Sequence, residues 1–561
     1  MFPAFIFSII LSWGTSLGCD EGNMANKNAK TADKRREIVR KFANLNKKLL
    51  RRPTEQEMLD AGYARSMIRH YFPTVGRLEA EARDQYPDCF FDVGISEIIN
   101  QDVVSVLRDK IKAHKRFVIT SAVTGCQVDQ KFYKSIKTYC AANDAILLVL
   151  IASDPAQTKT NKKGDHGTVD STLVDECIVF EDTDLNSNLF LSTIKLSAKH
   201  IDPTTGLDRI GQRDGSFIFA SPKQRLQMVA TSNIKLPHAL MTTGAITLPN
   251  YKTDSYMSER TAYIADHDHV MGAIIVEIQD DSVYHYRQVQ ASRKDGSFHD
   301  LGRKYGPQGV SEDLPVALVL GDWHSGETDP VVVKCTEEMI SELKPRTLVL
   351  HDAFNGLSIN HHEDHNLVAQ AIRYKNSQLL LKDEIQKFAE DLEWLSSKVK
   401  ELVIVKSNHD EFLSKHYLAE AKYVKDPHNH YYCLELAKAM IEGHDPLRYA
   451  VFKINSKLHN VLWLQRDQDF KIAGIQLGSH GDKGPNGSRG SLRNVEKAFG
   501  DSITGHSHTP GILRGAWSVG TSSFLKLGYN QGPSSWVQAH CLVYANGDRQ
   551  ILSIINGRWR L

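Results

Sequence analysis

The sequence predicts an α/β protein in which short apolar strands alternate with amphipathic helices. In the middle of the chain, strand-like runs at 117–120 and 146–151 flank an amphipathic stretch at 132–139. Strand, helix and strand in this order are typical of a parallel pair. Toward the carboxyl end, three further apolar runs are each followed by polar residues: 316–320, 347–350 and 402–405.

Length and charge limit the domain count and the partners. The 561 residues are too many for one ordinary core and predict two to four domains. Lys and Arg number 68 against 67 Asp and Glu, a net charge of +1, so the overall balance predicts no polyanionic partner. Basic residues are concentrated locally, with eleven Lys or Arg between Met24 and Arg52 against only Asp33 and Glu37. Any nucleic-acid-binding surface is therefore expected to be local.

Residues 1–23 are a signal-like segment or an over-extended start. The apolar stretch from Phe2 to Gly18 is typical of a signal-peptide core, but no Lys or Arg precedes it, and Met24 opens a polar, Lys-rich segment. These features favour an over-extended reading frame. The eight cysteines form no C-x-x-C pair, which favours a reducing compartment. We therefore expect a cytoplasmic protein without stable membrane association.

Residues 24–90 are predicted to form basic helices. Helical patterns lie on both sides of Gly62, and the second helix carries Arg65, Arg69 and His70. Two short helices joined by a Gly-containing turn are what a helix-turn-helix reader of DNA requires. The same pattern also fits a plain helical hairpin with a solvated basic face.

Residues 91–310 are predicted to form a further α/β region. Gly125 and Gly244 each follow an apolar strand, but neither lies in a phosphate-loop fingerprint. Because no chemistry can be assigned to these residues, a role in substrate positioning or assembly is the default interpretation.

The last region, 311–561, carries an ordered set of acid, amide and imidazole residues that follow short apolar runs. This order predicts ligands on loops at the carboxyl ends of buried strands. Two divalent ions side by side can share a hydroxide and clamp a phosphoester, and mixed oxygen and imidazole ligands suit Mn, Fe or Zn better than Mg or Ca. The set comprises Asp322, His324, Asp352, Asn408, His409, Asp410, His480, His506 and His508.

The order of these motifs resembles the calcineurin-like metallophosphoesterase superfamily, whose pattern runs D-x-H, G-D-x-x-D, G-N-H-D/E, H and G-H-x-H. The resemblance implies a β-sandwich flanked by helices over 311–561, as in the SbcD repair nucleases. It implies that His409 acts as leaving-group acid or transition-state donor, with Asp410 as its orienter. It also implies two ligand sets that share Asp352: Asp322, His324 and His508 for one metal, and Asn408, His480 and His506 for the other.

The chain departs from this family pattern at His351, Asn355 and Ser407, none of which removes a ligand. Protein phosphatases of the superfamily carry Asp-Arg-Gly after the bridging element, where this chain has Asn355, Gly356 and Leu357. This difference weakens the interpretation of the chain as a phosphoprotein phosphatase.

Two further segments are candidates for contacts around the site. His361, His362 and His365 follow the bridging Asp352 closely enough to line a cleft, although a run of His also fits a solvated helix start. The Gly-rich stretch 478–490, which contains Lys483 and Arg489, could surround a phosphate or be a surface loop.

A nuclease acting on double-stranded DNA is the leading hypothesis, because the basic segment and the helix-turn-helix pattern accompany the metal set. A phosphomonoesterase acting on nucleotides or phosphoproteins is the alternative, and a non-enzymatic DNA-binding or assembly protein is the second. The order of the three regions resembles the pre-early, first-step-transfer proteins of tailed coliphages, which degrade host DNA. That resemblance implies an Mn-dependent DNase, and a homo-oligomer is expected because symmetric assembly often serves large nucleases.

Overall fold

The chain forms two compact units, Met1–Asp92 and Val93–Leu561, in the computed structural model. The model describes residues 21–50, 52–53, 55–99, 101–152, 167–196, 200–232, 236–251, 259–363, 365–466, 468–527 and 530–561. Residues 1–20 of the predicted signal-like segment lie outside these ranges. Several sheets and many helices confirm the α/β prediction. Within the described ranges, no helix combines the length and the apolar character needed to cross a membrane.

The first unit is a small helical assembly with its own core. Its buried side chains include Phe42 and Phe72, and the Tyr63 hydroxyl donates a 2.6 Å hydrogen bond to Glu37 Oε1. The two predicted helices are present as α2 and α3, joined by a turn at Gly62, whose φ is +89°. The helices are α1 (Glu21–Leu49), α2 (Glu55–Asp60), α3 (Arg65–Tyr71) and α4 (Val75–Gln85).

The basic side chains of α3 point away from this core. Ile68 is buried, whereas Arg65, Arg69 and His70 are exposed. This division matches an amphipathic helix with one face in a core. Contact of the three exposed side chains with DNA remains a prediction.

A five-stranded sheet, ordered β12-β11-β2-β3-β5, forms the core of the middle region. The predicted parallel pair is present as β2 and β3, which are in register along eight residue pairs and connected by α7. Asp129 caps α7 by accepting a 2.8 Å hydrogen bond from the Phe132 amide. The elements are β1 (Asp92–Gly94), α5 (Ile95–Ile98), α6 (Gln101–Ala113), β2 (Arg116–Val123), α7 (Gln130–Asn143), β3 (Ala145–Ala152), β4 (Thr168–Asp170), β5 (Cys177–Val179), α9 (Glu259–His267, after α8 below), β11 (Gly272–Ile278), β12 (Tyr284–Gln290), β13 (Phe298–Asp300), β14 (Arg303–Gly306) and β15 (Gly309–Glu312).

A buried ion network joins this sheet to the hairpin that follows it. The Arg287 guanidinium, 1% exposed, donates to Asp300 Oδ1 at 2.6 Å, Asp300 Oδ2 at 3.1 Å and Glu277 Oε2 at 2.9 Å. Burial alone would raise the pKa of Glu277, but the charge and hydrogen bond of Arg287, together with the Leu561 amide and the charge of Arg116, lower the pKa to about 2. The network therefore surrounds one buried guanidinium with two carboxyl groups inside the protein.

Replacing Arg287 with methionine should lower the free energy of unfolding by about 3–5 kcal/mol, because two buried carboxylates lose their cation. Denaturant titration at neutral pH measures the loss. Since the pKa of Glu277 is depressed, this stabilisation is present above pH 4.5, its ordinary value, and is lost as the pH falls toward 2. Arg213→Met, which breaks the exposed pair with Asp214, is the matched control, and an equal effect of both variants would refute the assignment.

A ten-stranded sheet crosses the predicted boundary at residue 310. Its order is β20-β21-β22-β24-β23-β9-β10-β8-β7-β6, so strands of both regions belong to it. At the junction of β9 and β23, Arg225 Nη1 donates to the Ile512 carbonyl at 2.8 Å. The elements are β6 (Thr183–Asn186), β7 (Leu189–Ser192), α8 (Asp208–Asp214), β8 (Ser216–Phe219), β9 (Arg225–Val229), β10 (His238–Thr242), β20 (Lys471–Ile472), β21 (Ile475–Gln476), α15 (Leu492–Phe499, after α10 to α14 below), β22 (Ser502–Thr504), β23 (Gly511–Leu513) and β24 (Ala516–Ser518).

A six-stranded sheet, ordered β19-β18-β17-β16-β25-β26, carries helices on one face. Side chains alternate along each strand: Val319 shares a core with Ile503 and Trp517 of the ten-stranded sheet, whereas Leu318 packs among residues of the helices, such as Phe388. The elements are β16 (Ala317–Val319), α10 (Pro330–Leu343), β17 (Thr347–Leu350), α11 (Leu367–Lys375), α12 (Leu381–Ser397), β18 (Glu401–Ile404), a π-helix (Phe412–Leu418), α13 (His430–Ile441), α14 (Pro446–Ile454), β19 (Val461–Trp463), β25 (Ala539–Val543) and β26 (Arg549–Ser553).

Candidate metal centre

The loops that follow β16 and β17 are joined by backbone hydrogen bonds, which fix the first predicted ligands. The amide of Trp323 donates to the His351 carbonyl at 3.0 Å, and the amide of His324 donates to the Asp352 carbonyl at 2.8 Å. Because β16 and β17 are parallel neighbours, their carboxyl ends meet at one edge of the sheet. The structure therefore places three residues after buried strands, as predicted: Asp322, His324 and Asp352.

Four predicted ligands have backbone conformations that non-glycine residues seldom adopt. His324 has φ of 48°, Asp352 43°, His506 69° and His508 55°. Each such residue costs of order 1–3 kcal/mol and persists only where its surroundings impose it. Such residues cluster at functional sites, so this repeated conformation marks the loops as a constrained centre.

Two groups of ligand atoms converge around Asp352. Asp322, His324, Asp352 and His508 form one group, in which His324 Nε2 lies 3.0 Å from His508 Nε2, and His508 Nε2 lies 3.1 Å from Asp322 Oδ2. Asp352 also belongs to the second group with His480 and His506, where His480 Nε2 lies 3.3 Å from Asp352 Oδ2. Asp352 is thus the member that the two groups share.

Asn408 follows β18 and brings an amide oxygen to the same edge. The turn around it is closed by two hydrogen bonds: the Ser407 amide donates to Asp410 Oδ2 at 2.9 Å, and the Asp410 amide donates to Ser407 Oγ at 3.1 Å. Ser407, a departure from the family pattern, therefore shapes the loop. Burial raises the pKa of Asp410 to about 6.

Residues of the centre shift one another's pKa values. Burial alone would lower the pKa of His480, but Asp352 raises it to about 9. The same interaction, with the charge of His409, outweighs burial and holds the pKa of Asp352 well below its usual range. Burial lowers the pKa of His324 to about 3 and that of His351 to about 4. His324 is therefore neutral near pH 7, as a metal ligand must be.

The donor set fits a metal ion by its buried, unpartnered oxygens. Among the described residues, Asp322 Oδ1, Asp352 Oδ1 and Asn408 Oδ1 are buried and accept no hydrogen bond. Buried polar atoms without partners are rare in folded proteins and carry a free-energy cost. The oxygens of Asp322 and Asp352, beside the converging imidazole nitrogens, form an environment that a divalent cation satisfies. The residues can therefore bind metal.

His409 is oriented by the loop after β17. Its Nδ1 lies 2.6 Å from the Asn355 carbonyl, and because a carbonyl can only accept, Nδ1 carries the proton. Its ring stacks on Phe412, with centroids 4.6 Å apart, and meets His324 edge to face at 4.9 Å. The orienting partner is thus the Asn355 carbonyl, whereas the carboxylate of Asp410 is engaged by the Ser407 amide.

The other predicted contacts lie on the surface around the centre. His362 and His365 are exposed and His361 is half-buried; the rings of His361 and His362 both contact Phe412. Lys483 and Arg489 are exposed and face each other across a short hairpin. Phosphate contact by this hairpin remains a prediction.

Two residues that support the centre were not predicted from the sequence: Asp391 and Gly505. Asp391 accepts hydrogen bonds from Ser325 Oγ at 2.6 Å and Trp323 Nε1 at 3.3 Å, behind the first ligand loop. A side chain on Gly505 would collide with Asp322 Oδ1 and approach His351 Cβ to 2.8 Å. The glycine of the G-H-x-H motif was a usable signal for this close approach, whereas Asp391 lies on a helix far away in sequence.

Comparison with known proteins gives one informative relative. The chain is 30% identical over 471 residues to a curated protein of Escherichia phage T5 called protein A1; the match covers 80% of this chain and 84% of that protein. No protein-family model matches the chain, and no solved structure matches it significantly.

Proposed function

The chain belongs to the family of protein A1 of Escherichia phage T5, and on this premise we propose that it is a metal-dependent deoxyribonuclease that degrades host DNA early in phage infection. The observation that carries the enzymatic part is the pair of ligand groups, buried except for His506, that share Asp352. We propose that DNA is reached in the cytoplasm of the host, where the phage protein is made.

We also propose that residues 311–561 carry a metallophosphoesterase domain, whose second sheet is extended by β6–β10 of the middle region. The alternation of β16 side chains between a helical core and a second sheet supports a sandwich flanked by helices. The order of the ligand loops along the chain supports the same assignment. Departures at His351 and Asn355 leave the donor set intact, because neither side chain is a predicted ligand.

The residues of the centre divide the work of phosphodiester hydrolysis. Asp322, His324 and His508 would hold one divalent ion, and Asn408, His480 and His506 the other, with Asp352 a member of both sets. When bound, two such ions, most suitably Mn²⁺, supply a nucleophile at neutral pH and neutralise the charge of the phosphate. The constrained backbone of the ligand loops holds the donors in place before substrate arrives.

His409 is the proposed group that handles the leaving oxygen. Because Nδ1 donates to the Asn355 carbonyl, Nε2 is the ring atom left to face the substrate. In its protonated form, Nε2 donates a hydrogen bond or a proton to the departing alkoxide. Stacking on Phe412 limits rotation of the ring and keeps that atom aimed.

Replacing His409 with asparagine should lower kcat for DNA cleavage by about 100- to 10,000-fold, the usual contribution of a general acid. The metal content should not change, because His409 belongs to neither ligand group. Steady-state kinetics and elemental analysis of the same preparation measure the two effects. His459→Asn is the matched control, since His459 is exposed and precedes β19 at the opposite edge of the sheet. An unchanged kcat would remove His409 from the mechanism.

We propose that α3 supplies phosphate contacts through Arg65, Arg69 and His70. Converting both arginines to glutamine should weaken DNA binding and reduce the slope of log K against log salt by about 2, roughly one for each phosphate that is no longer neutralised. Binding titrations at several salt concentrations measure the slope. Hydrolysis of a small aryl phosphate should be unaffected. Arg77→Gln, exposed on α4, is the control, and an unaltered slope in the double variant would reject the proposed role of α3.

Activity assays with two substrate classes test the proposal as a whole. The protein with Mn²⁺ should cleave double-stranded DNA and should hydrolyse an aryl phosphate monoester poorly. Preference for the monoester would favour a phosphomonoesterase of the same chemistry. If no nucleic acid is cleaved with any divalent metal, the nuclease proposal fails and a binding or assembly role replaces it.

A further inference from the structure

A cluster of imidazole rings lies beside His409, outside the ligand groups. The centroid of the His361 ring is 3.9 Å from that of His362 and 4.1 Å from that of His416, and the planes of His361 and His416 differ by 19°. His361 also meets Phe412 edge to face at 4.7 Å. Since Phe412 stacks on His409, one continuous series of aromatic contacts runs from the surface to the proposed acid.

Local backbone geometry builds this series. Phe412 and His416 belong to the π-helix Phe412–Leu418, which begins shortly after the Asn408 loop, and π-helices occur frequently at functional sites. On the opposite side, Gly356 has φ of +70°, and a Cβ there would approach the Phe412 ring to 3.0 Å. The loop after Asp352 is thereby allowed to close against the ring.

The outer rings of the series are accessible from solvent. His362 is exposed, and the side chain of His416 is 38% exposed, whereas Phe412 is 4% exposed. His416 Nδ1 lies 3.0 Å from Glu420 Oε1, which fixes the edge of its ring. One face of the His416 ring stacks on His361, so the outer face is the one that can stack on a ligand. Among the described residues, the groups able to hold a metal are the two around Asp352, so a further metal site does not explain the cluster.

We propose that His362 and His416, which cover opposite faces of His361, each offer an outer ring face to one nucleobase near the scissile phosphodiester, so that the three rings form a stacking platform. Every nucleobase has a π-face, so such a platform binds DNA without reading its sequence. The proposal rests on the nuclease function proposed above. It assigns these two rings to substrate positioning, distinct from the proton transfer assigned to His409.

The test compares intact oligonucleotides with oligonucleotides that carry one abasic residue at successive positions around the cleavage point. Replacing both His362 and His416 with alanine should raise KM for the intact substrate by at least about 5-fold, the lower end for loss of one base–aromatic stack. In the wild type, an abasic residue at either of two positions should raise KM by about 5- to 100-fold. In the double-alanine variant, the same abasic residues should add nothing.

Conservative variants separate stacking from charge. The double phenylalanine variant should restore a low KM, because it keeps two aromatic faces, whereas the double lysine variant should not. His459→Ala controls for removal of an exposed imidazole at the opposite edge of the sheet.

The platform would be overturned if the double-alanine variant cleaved DNA with an unchanged KM. It would also be overturned if the double lysine variant restored a low KM and the double phenylalanine variant did not. Failure of the wild type to cleave any DNA is a different result, which would overturn the nuclease function and the platform together.

Discussion

Replacing Asp352 with asparagine is expected to abolish DNA cleavage and metal binding together. Asp352 is 2% exposed and belongs to both ligand groups, so its loss removes charge from two places at once. The decrease in rate should exceed the roughly 10- to 100-fold that loss of an outer-shell partner costs. Elemental analysis of the purified variant should show lower metal content, and steady-state assays should show the loss of cleavage.

Thermal unfolding provides a readout of the same variant that does not depend on activity. Mn²⁺ at about 100 times its Kd should stabilise the wild type by about 2.7 kcal/mol and raise its Tm, but should leave the Tm of the variant unchanged. Asp501→Asn is the matched control, because Asp501 precedes β22 at the end opposite to His506. A variant that still gained stability from Mn²⁺ would contradict the role of Asp352 as the shared ligand.

Replacing Gly505 with alanine is expected to disable the centre although no ligand is altered. The new Cβ would collide with Asp322 Oδ1 and lie 2.8 Å from His351 Cβ, so Asp322 must move away. A displacement of about 1 Å at a reacting centre can lower the rate by about 100-fold. Cleavage assays and Mn²⁺ titrations should both show the defect, and chelated protein should unfold at a slightly lower temperature because the site is overpacked.

Gly306→Ala is the control for this substitution. A Cβ at Gly306 meets its nearest atoms at 3.8 and 3.9 Å, an ordinary contact, so its activity should match the wild type. If Gly505→Ala also retained full activity and metal affinity, the close approach of residue 505 to Asp322 would have no functional meaning.

Much of the arrangement of the centre could be predicted because its signals are local in sequence. A short apolar run followed by an acid or a histidine indicates a ligand at a strand end, and Asp322, Asp352 and Asn408 lie at such positions. The order of the motifs along the chain then indicated which residues should lie close together in the folded protein. The structure brings them to one edge of the sheet, while their action as ligands remains to be measured.

Features that depend on distant contacts could not be predicted. The carbonyl of Asn355 orients His409 because two separate loops meet there. The residue type at position 355 does not predict that its backbone carbonyl will accept this hydrogen bond. The π-helix that places His416 against His361 could not be predicted, because its amino-acid composition does not distinguish it from an α-helix. The sheet junction between Arg225 and Ile512 joins residues 287 positions apart, beyond the range of any periodicity.

The long-range support of the first ligand loop also determines when the metal centre can be completed during synthesis. The Gly321 amide donates to His540 Nδ1, 219 positions later, and the Asp322 amide donates to the Gly520 carbonyl. At about 5–20 residues per second, a ribosome needs roughly 10–45 s to add those residues after Gly321 has been made. A nascent chain can therefore expose its early ligands without fixing them. The first ligand loop is therefore completed only after residue 540 has been made.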